Sequence, residues 1–582
     1  MGFSFGSNRF KRSNSSLSPA PSSPTWWVTW NAIATLDEAV VWRDDRLAVI
    51  QSHSSSSLPF ALSPTQQFVV VGDVWLSQSD ALEQPLETRI APDCSHLQIV
   101  AALWERFGTE TFELLVGMFA LAVWDRDRQV LWMGRDRSGT RTLYYTTSGA
   151  TRWIAPRLRD LNPYHAKELD SVALRDYLCC AFVPGEQTLW KQVREVRPGA
   201  IVRFPGDIQH HYWQLQERVV QPQESLAWHG DRLRHLLAQV VGEYLPPQQP
   251  VGVLLSGGLD SSAITAIAAQ LHSESIYTFS IHFGRDCPNE LEFSSLVAKH
   301  CQTQHHILEI TFAQMWDHLR ETMAVLDNPI GDPLTVPNLL AGRLARQFVA
   351  VILNGEGGDP CFGGPKNQPM LLNDLYGAVT NQGELQAYLR SFHKCAIDLP
   401  QLLKPEIWAA VKDEPWVFTG DLLSEASYLN RLMALNIKFK GADHILPKVS
   451  NLTQAVGLQG RSPLFDRRIV DLSMEIPPEY KLSGVQEKAV LKQAVADLLP
   501  AAIVHRPKSG MMVPVQLGFR QYWNKQARRL LLSKDAAIAP YLNPSLMRDW
   551  LDYKGDTWGR YGVKLWLLAS LELWLQEQER DR

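Results

Sequence analysis

Residues 251-VGVLLSGGLDSSAITA-266 join an apolar run to a helix-forming stretch through Ser256-Gly257-Gly258-Leu259-Asp260-Ser261-Ser262. A short apolar run bounded by turn residues predicts a buried strand, and 261-SSAITAIAAQL-271 predicts a helix that starts at once. Gly257 and Gly258 permit positive φ and leave backbone N–H groups uncovered, so anionic oxygens can approach closely. The helix N-terminus adds partial positive charge, and Ser261 and Ser262 add hydroxyl donors. Asp260 would repel a phosphate unless Mg²⁺ lies between them, which assigns it to a metal. No Gly-Lys-Ser/Thr follows, so this is not a Walker A loop. An N-capped turn without a ligand is the plainer alternative, and the density of the pattern weighs against it.

The rhythm around this loop is strand, helix, strand. A helical 230-GDRLRHLLAQVVGEYL-245 precedes it. Strands 276-IYTFSIHF-283 and 349-VAVILN-354 alternate with helices 291-LEFSSLVAKH-300 and 338-NLLAGRLARQF-348. Such alternation predicts a parallel sheet covered on both faces. Beyond it the chain reads as mostly helical, ending in 563-VKLWLLASLELWLQEQ-578. Upstream, 68-FVVVGDVWL-76, 118-MFALAVWD-125, 129-QVLWMGRD-136 and 142-TLYYT-146 read as strands, with one helix at 97-LQIVAALWERFG-108. The expected organisation is a Ser/Pro-rich mobile arm at 1–24, a β-rich α+β domain at 25–215, a polar join near 214–226, and an α/β domain at 226–582.

Composition narrows the function classes. Charged residues are 20% of the 582 positions, and 57 basic against 61 acidic side chains leave a net charge of −4. A strongly basic nucleic-acid binder is excluded as the default, and nothing calls for a membrane partner. Apolar runs such as 349-VAVIL-353 fall far short of the roughly 20 residues that span a bilayer. The seven Cys show no C-x-x-C spacing, which argues against a disulfide framework or a structural zinc site and suits a reducing, cytoplasmic setting.

The first loop resembles that of the PP-loop ATP pyrophosphatases, and within them the asparagine synthetase family. The second, 349-VAVILNGEGGDPCFGG-364, is similar to the family's Gly-Glu-Gly-x-Asp-Glu-x-Phe-x-Gly, with Pro360 where the family carries Glu. The resemblance implies ATP held by Leu255, Ser256, Gly257, Gly258, Leu259, Asp260, Ser261, Ser262 and Gly355. It also implies Mg²⁺ on Asp260 and Asp359, with Glu356 beside the acyl-adenylate. Asn289-Glu290 and His305-His306 fit a further family stretch, the two His as packing or capping residues. Segment 457-GLQGRSPLFDRRIVD-471 resembles Gly-Leu-Glu-x-Arg-x-Pro-Phe-Leu-Asp, with Gln459 for Glu, and leaves Arg461 between a site role and a structural ion pair. In 503-IVHRPKSGMMVP-514, similar to Arg-Pro-Lys-x-Gly-Phe-x-x-Pro, Lys508 is the expected catalytic cation that stabilises pyrophosphate. The implied fold is an Ntn-type αββα sandwich followed by a PP-loop parallel sheet with a helical extension.

The amino-terminal region resembles the family's glutaminase through 104-WERFGTETFELLVGMFALAVWDRDRQVLWMGRDRSGTRTLYY-145, 182-FVPGEQTLW-190 and 197-RPGA-200. A working glutaminase needs an N-terminal Cys whose own α-amine serves as base. Position 2 is Gly2, and the first Cys is Cys94. The family's Asn-Gly-Glu is 71-VGD-73, and its Asp-x-Glu falls on His96 and Gln98. The expectation is a degenerate domain with a structural or docking role. The expected reaction is ATP- and Mg²⁺-dependent amide formation between a small-molecule or peptide carboxylate and ammonia or a substrate amine. An intramolecular cyclase like the β-lactam synthetases and lasso-peptide cyclases is the alternative, and an inactive nucleotide-binding partner protein the second. The oligomeric state stays open, a homodimer included.

Overall fold

The structure is a computed structural model that describes residues 26–31, 39–51, 58–364, 381–483, 486–507, 512–554 and 560–580. The expected arm at 1–24 lies outside the described residues.

The amino-terminal half is built on two antiparallel six-stranded sheets. One takes β1 (Trp26–Trp30), β2 (Val40–Arg43), β3 (Leu47–Gln51), β8 (Tyr144–Ser148), β9 (Thr151–Ala155) and β10 (Val193–Glu195), in the order β10-β8-β9-β1-β3-β2. The other takes β4 (Phe60–Leu62), β5 (Phe68–Leu76), β6 (Gly117–Asp125), β7 (Val130–Arg135), β11 (Ala200–Phe204) and β12 (Ile208–His211), in the order β12-β11-β7-β6-β5-β4. Side-chain alternation sorts the apolar residues between layers. Val69 and Val71 of β5 and Ala120, Ala122 and Trp124 of β6 face the other sheet, where Val28, Val49 and Ile154 meet them. Val70, Phe119, Leu121 and Val123 point the opposite way, onto α1 (His96–Phe107). Across the first sheet, Tyr144, Trp153 and Ala155 pack with α2 (Ser171–Cys180). The result is the expected four-layer αββα sandwich.

The second half carries five parallel strands, β13 (Val251–Leu254), β14 (Ile276–His282), β15 (Gln304–Glu309), β16 (Val351–Leu353) and β17 (Gln459–Arg461), in the order β15-β14-β13-β16-β17. Helices α3 (Leu226–Tyr244), α4 (Leu259–Leu271), α5 (Leu291–His300) and α6 (Thr335–Ala345) connect and cover them, and α9 (Tyr561–Arg580) closes the helical extension; α7 and α8 belong to the site below. Strands β15 and β17 were not among those expected. His305 and His306 lie on β15, where His306 packs at 4.2 Å from Phe348 and stacks on Tyr277 and Phe279, a packing role as expected. Among the described residues no helix is long and apolar enough to cross a membrane.

The two halves are joined by buried polar contacts. Arg197 pairs with Asp443 at 2.7 Å, and Gly185 N donates to the same carboxylate at 2.8 Å. Ser138 Oγ donates to Phe465 O, and Tyr177 Oη to Leu567 O. The polar join is itself docked. Arg218 N and Val220 N donate to Met474 O and Glu475 O, and Glu217 accepts from Ser427 N at 2.7 Å and from Asn430 Nδ2.

Beneath this join Lys481 is fully buried, with Nζ donating to Asn430 Oδ1 at 2.5 Å. Burial pulls its pKa down to about 7, against the opposing pull of Cys361 and Glu217. The unfolded chain keeps that proton to about pH 10, whereas the folded chain releases it near 7. Lys481 therefore withdraws stability in full below pH 7, on the order of a few kcal/mol, and the loss fades as pH rises toward 10. Lys481→Met is expected to be most stabilising relative to the parent below pH 7 and progressively less so by pH 9.5. Urea midpoints across that range check it; a difference independent of pH would show that the lysine is not strained by burial.

Candidate active site

The sheet order reverses between β13 and β16, and in open α/β sheets the crevice at the carboxyl ends of such strands is where ligands bind. The first loop begins there. Leu255 N is held by Phe279 O at 2.9 Å, and Leu255 O accepts from Ser280 Oγ at 2.5 Å, which pins the loop to β14. Gly257 has φ +77°, and a Cβ there would come within 2.5 Å of Ser294 N. Gly258 opens α4 with no side-chain cap, leaving first-turn N–H groups without that competitor. Ser256 Oγ accepts from Gly258 N at 3.2 Å, and Ser261 Oγ accepts from Ser256 N at 3.2 Å, so both hydroxyls shape the loop. Leu259 packs into the core beneath it, and Ser262 Oγ is buried with no hydrogen-bond partner among the described residues.

The second loop lies directly on the first. Gly355 sits so close to Ser261 that a Cβ would overlap its backbone, and a Cβ on Gly358 would overlap the Asp260 carboxylate. Gly357 has φ +111°, and α7 (Gly358–Phe362) follows, with Pro360 buried inside it. Asn354 ties this loop to β17: its Nδ2 donates to Arg461 O at 3.2 Å, and its Oδ1 accepts from Glu356 N at 3.0 Å.

The loops bring Asp260 and Asp359 together around a cation that the sequence reading did not anticipate. Lys488 Nζ lies 2.7 and 2.6 Å from the two oxygens of Asp260 and 2.5 Å from Asp359 Oδ1. Its side chain is 1% exposed, and it precedes α8 (Ala489–Ala494) with φ +53°. Lys508 lies outside the described residues. Both carboxylates can converge on one positive centre, which is the donor set Mg²⁺ uses when substrate phosphates complete its shell.

Glu356 is partly exposed, and its Oε1 faces Lys448 Nζ at 3.9 Å. Arg461 is buried: its guanidinium donates to Tyr244 O at 2.5 Å and Gln459 Oε1 at 2.7 Å and lies 4.5 Å from the Trp75 ring. Of the two roles left open for Arg461, no ion pair is made among the described residues; its partners there are a carbonyl, an amide and an indole. Arg506 anchors the first loop through Gly257 O at 3.2 Å, stacks on Phe293 and pairs with Glu290. A cavity of about 590 Å³ lies at the seam of the two halves, lined by Arg197, Trp213, Trp416 and Phe439; the phosphate-loop residues do not line it.

In the sandwich, the positions matched to a glutamine clamp are occupied by the fold. Asp73 pairs with Arg141 at 2.7 Å, His96 Nδ1 accepts from Leu76 N at 3.3 Å, and Gln98 completes a capping box with Ser95. Burial, then Asp93, raise the Cys94 thiol pKa above its ordinary value, the opposite of what activates a nucleophile.

Comparison with known proteins matches residues 232–576 to a family model described as asparagine synthase, and residues 31–213 to one described as a glutamine amidotransferase domain. The glutamine-hydrolyzing asparagine synthetase 1 of Bacillus subtilis is 25% identical over 517 residues, covering 82% of this chain and 80% of that protein. A putative glutamine-hydrolyzing asparagine synthetase of Mycobacterium tuberculosis is 26% identical over 541 residues, covering 84% and 81%. Asparagine synthetase B of Escherichia coli is 24% identical over 502 residues, covering 82% and 75%.

Proposed function

The chain belongs to the asparagine synthase family, and from that premise we propose an ATP-dependent amide-forming ligase that works through an acyl-adenylate and has lost glutamine hydrolysis. The observation that carries this reading is the convergence of Asp260, Asp359 and Lys488 on the two glycine loops, at the point where the sheet order reverses.

The backbone of Ser256 to Gly258 and the start of α4 bind the phosphates of ATP, and Gly355 lets the second loop close on the first beside them. Asp260 and Asp359 would hold Mg²⁺ once Lys488 Nζ, which lies between them in the structure, turns toward the phosphates, and the ion would supply positive charge against phosphate oxygens. A substrate carboxylate oxygen attacks the α-phosphorus, and the bond to the leaving pyrophosphate breaks. Lys488 stabilises charge on that leaving group, with Lys508 a second candidate. The amine then attacks the acyl carbon, AMP leaves, and Glu356 orients the amine or takes its proton. Ammonia or a substrate amine is the nucleophile in this reading, supported by the engagement of the clamp positions in the fold.

Pyrophosphate release from ATP and Mg²⁺ with aspartate and ammonium tests the acceptor, and none above background would sink the asparagine reading. In parallel, glutamine incubated with the protein is expected to yield no glutamate above background. Steady glutamate release would overturn the loss of glutaminase chemistry.

A further inference from the structure

The seam between the two halves runs up to the active site through one continuous set of contacts. Glu356 Oε1 faces Lys448 Nζ at 3.9 Å, and Lys448 lies 2.9 Å from Asp332 Oδ2. Asp332 is in turn 3.3 Å from His444 Nε2, and the His444 ring stacks on Phe182 with centroids 5.4 Å apart and planes 8° from parallel. Phe182 belongs to the segment that follows α2 in the sandwich. Gly331 N donates to Ala181 O at 2.8 Å, which fixes the Asp332 loop to that same segment.

Each link has a physical consequence. Lys448 is 3% exposed, so its charge cannot be left to water and needs a carboxylate held in place. Burial alone would raise the Asp332 carboxyl pKa, but Lys448, His444 and the Leu334 N–H outweigh it and hold it well below the ordinary range. Burial lowers the His444 imidazole pKa to about 4, so the ring is neutral near pH 7 and presents a flat, uncharged face to Phe182. Lys448 Nζ lies 3.9 Å from Glu356 Oε1, so the buried ammonium fixes a direction in which that partly exposed side chain can turn.

We propose that Lys448 positions the Glu356 side chain, and that Phe182 of the sandwich holds Lys448 in place through His444 and Asp332. The amino-terminal domain, without glutamine chemistry of its own, is then a buttress of the synthetase site. This rests on the reading of Glu356 as a residue of the amide-forming step, and the experiment is chosen so that the two can fail separately.

In Glu356→Cys, the pH dependence of iodoacetamide modification at the introduced thiol, located by peptide mass, reports the charge facing position 356 without any acceptor substrate. That thiol is expected to titrate about one pH unit lower with Lys448 in place than with Lys448→Met added, giving roughly threefold faster modification at pH 7 once the lower nucleophilicity of the more acidic thiol is included. Lys448→Arg should retain the low value, and Phe182→Ala should move it toward the value measured with Lys448→Met. Phe182→Leu takes its place if the alanine variant does not fold, judged by thermal midpoint. An unchanged titration in Lys448→Met overturns the positioning role; a change there but none in either Phe182 variant overturns the buttress. Where pyrophosphate release is measurable, Lys448→Met should lower kcat with KM for ATP unchanged, and Lys448→Arg should restore it; loss through KM alone would also overturn the proposal.

Discussion

Lys488→Met is expected to cut pyrophosphate release at least a thousandfold. The ammonium contacts three carboxylate oxygens within 2.7 Å and is 1% exposed. Its charge therefore acts where water screens it least, at the mouth of both glycine loops. Removing one preorganised donor from a site of developing charge typically costs about 10²–10³ in rate. Here the loss is compounded, because before Mg²⁺ binds Asp260 and Asp359 would face each other without a cation between them, and like charges at close range push one carboxyl toward protonation. Asp260→Ala should lose turnover as well, and the double variant should be scarcely worse than either single one, as for residues acting as a unit. Stability should fall less than activity, since the Asp359 side chain is 29% exposed and can rehydrate. Lys488→Arg separates charge from shape: it should recover the thermal midpoint more than the rate, because a planar guanidinium cannot occupy the point between two carboxylates that an ammonium fills. Lys488→Met with a tenth or more of parental turnover would remove this residue from the chemistry.

The first glycine loop and four of the twelve described sandwich strands were legible because each is a local pattern, while the second loop was legible through the family motif it resembles. An apolar run meets a turn, as in 251–262, or a near-continuous apolar run stands between turns, as in Phe68–Leu76 and Gly117–Asp125. β17 was not legible, because three residues, Gln459–Arg461, form a strand only by pairing in parallel with Val351–Leu353, more than a hundred positions earlier. β15 was read through its two His rather than as the edge strand it forms beside β14. Lys488 was missed for a similar reason. It stands 228 positions from Asp260, and an isolated Lys before a short helix reads as a solvated charge. The resemblance led instead to Lys508, which lies outside the described residues. Lys448 and Asp332, 116 positions apart, belong to no local pattern, so their pairing had to come from tertiary packing. What the sequence hides here is partnership: it exposes the residues whose neighbours in the chain explain them.

Gly358→Ala is expected to lower pyrophosphate release a hundredfold or more, although by backbone propensity it should help. Gly358 begins α7 without a positive φ, and alanine in such a position is favoured over glycine by up to about 1 kcal/mol. Against that, its Cβ would overlap the Asp260 carboxylate, and that carboxylate has nowhere simple to go while both of its oxygens are bound to Lys488. Relief requires α7 to back away or Asp260 to swing off the lysine, and either opens the spacing of the two loops on which the phosphate cradle depends. A misplacement of about 1 Å at a reacting centre is enough for a hundredfold loss. Gly420→Ala is the matched control: it also lies in a short helix, Thr419–Leu422, and its added Cβ would meet nothing within 4 Å. That variant should keep full activity with an unchanged or slightly raised thermal midpoint. Equal kcat/KM for Gly358→Ala and the parent would mean that Asp260 moves freely during turnover, and that its contact with the second loop belongs to the resting protein alone.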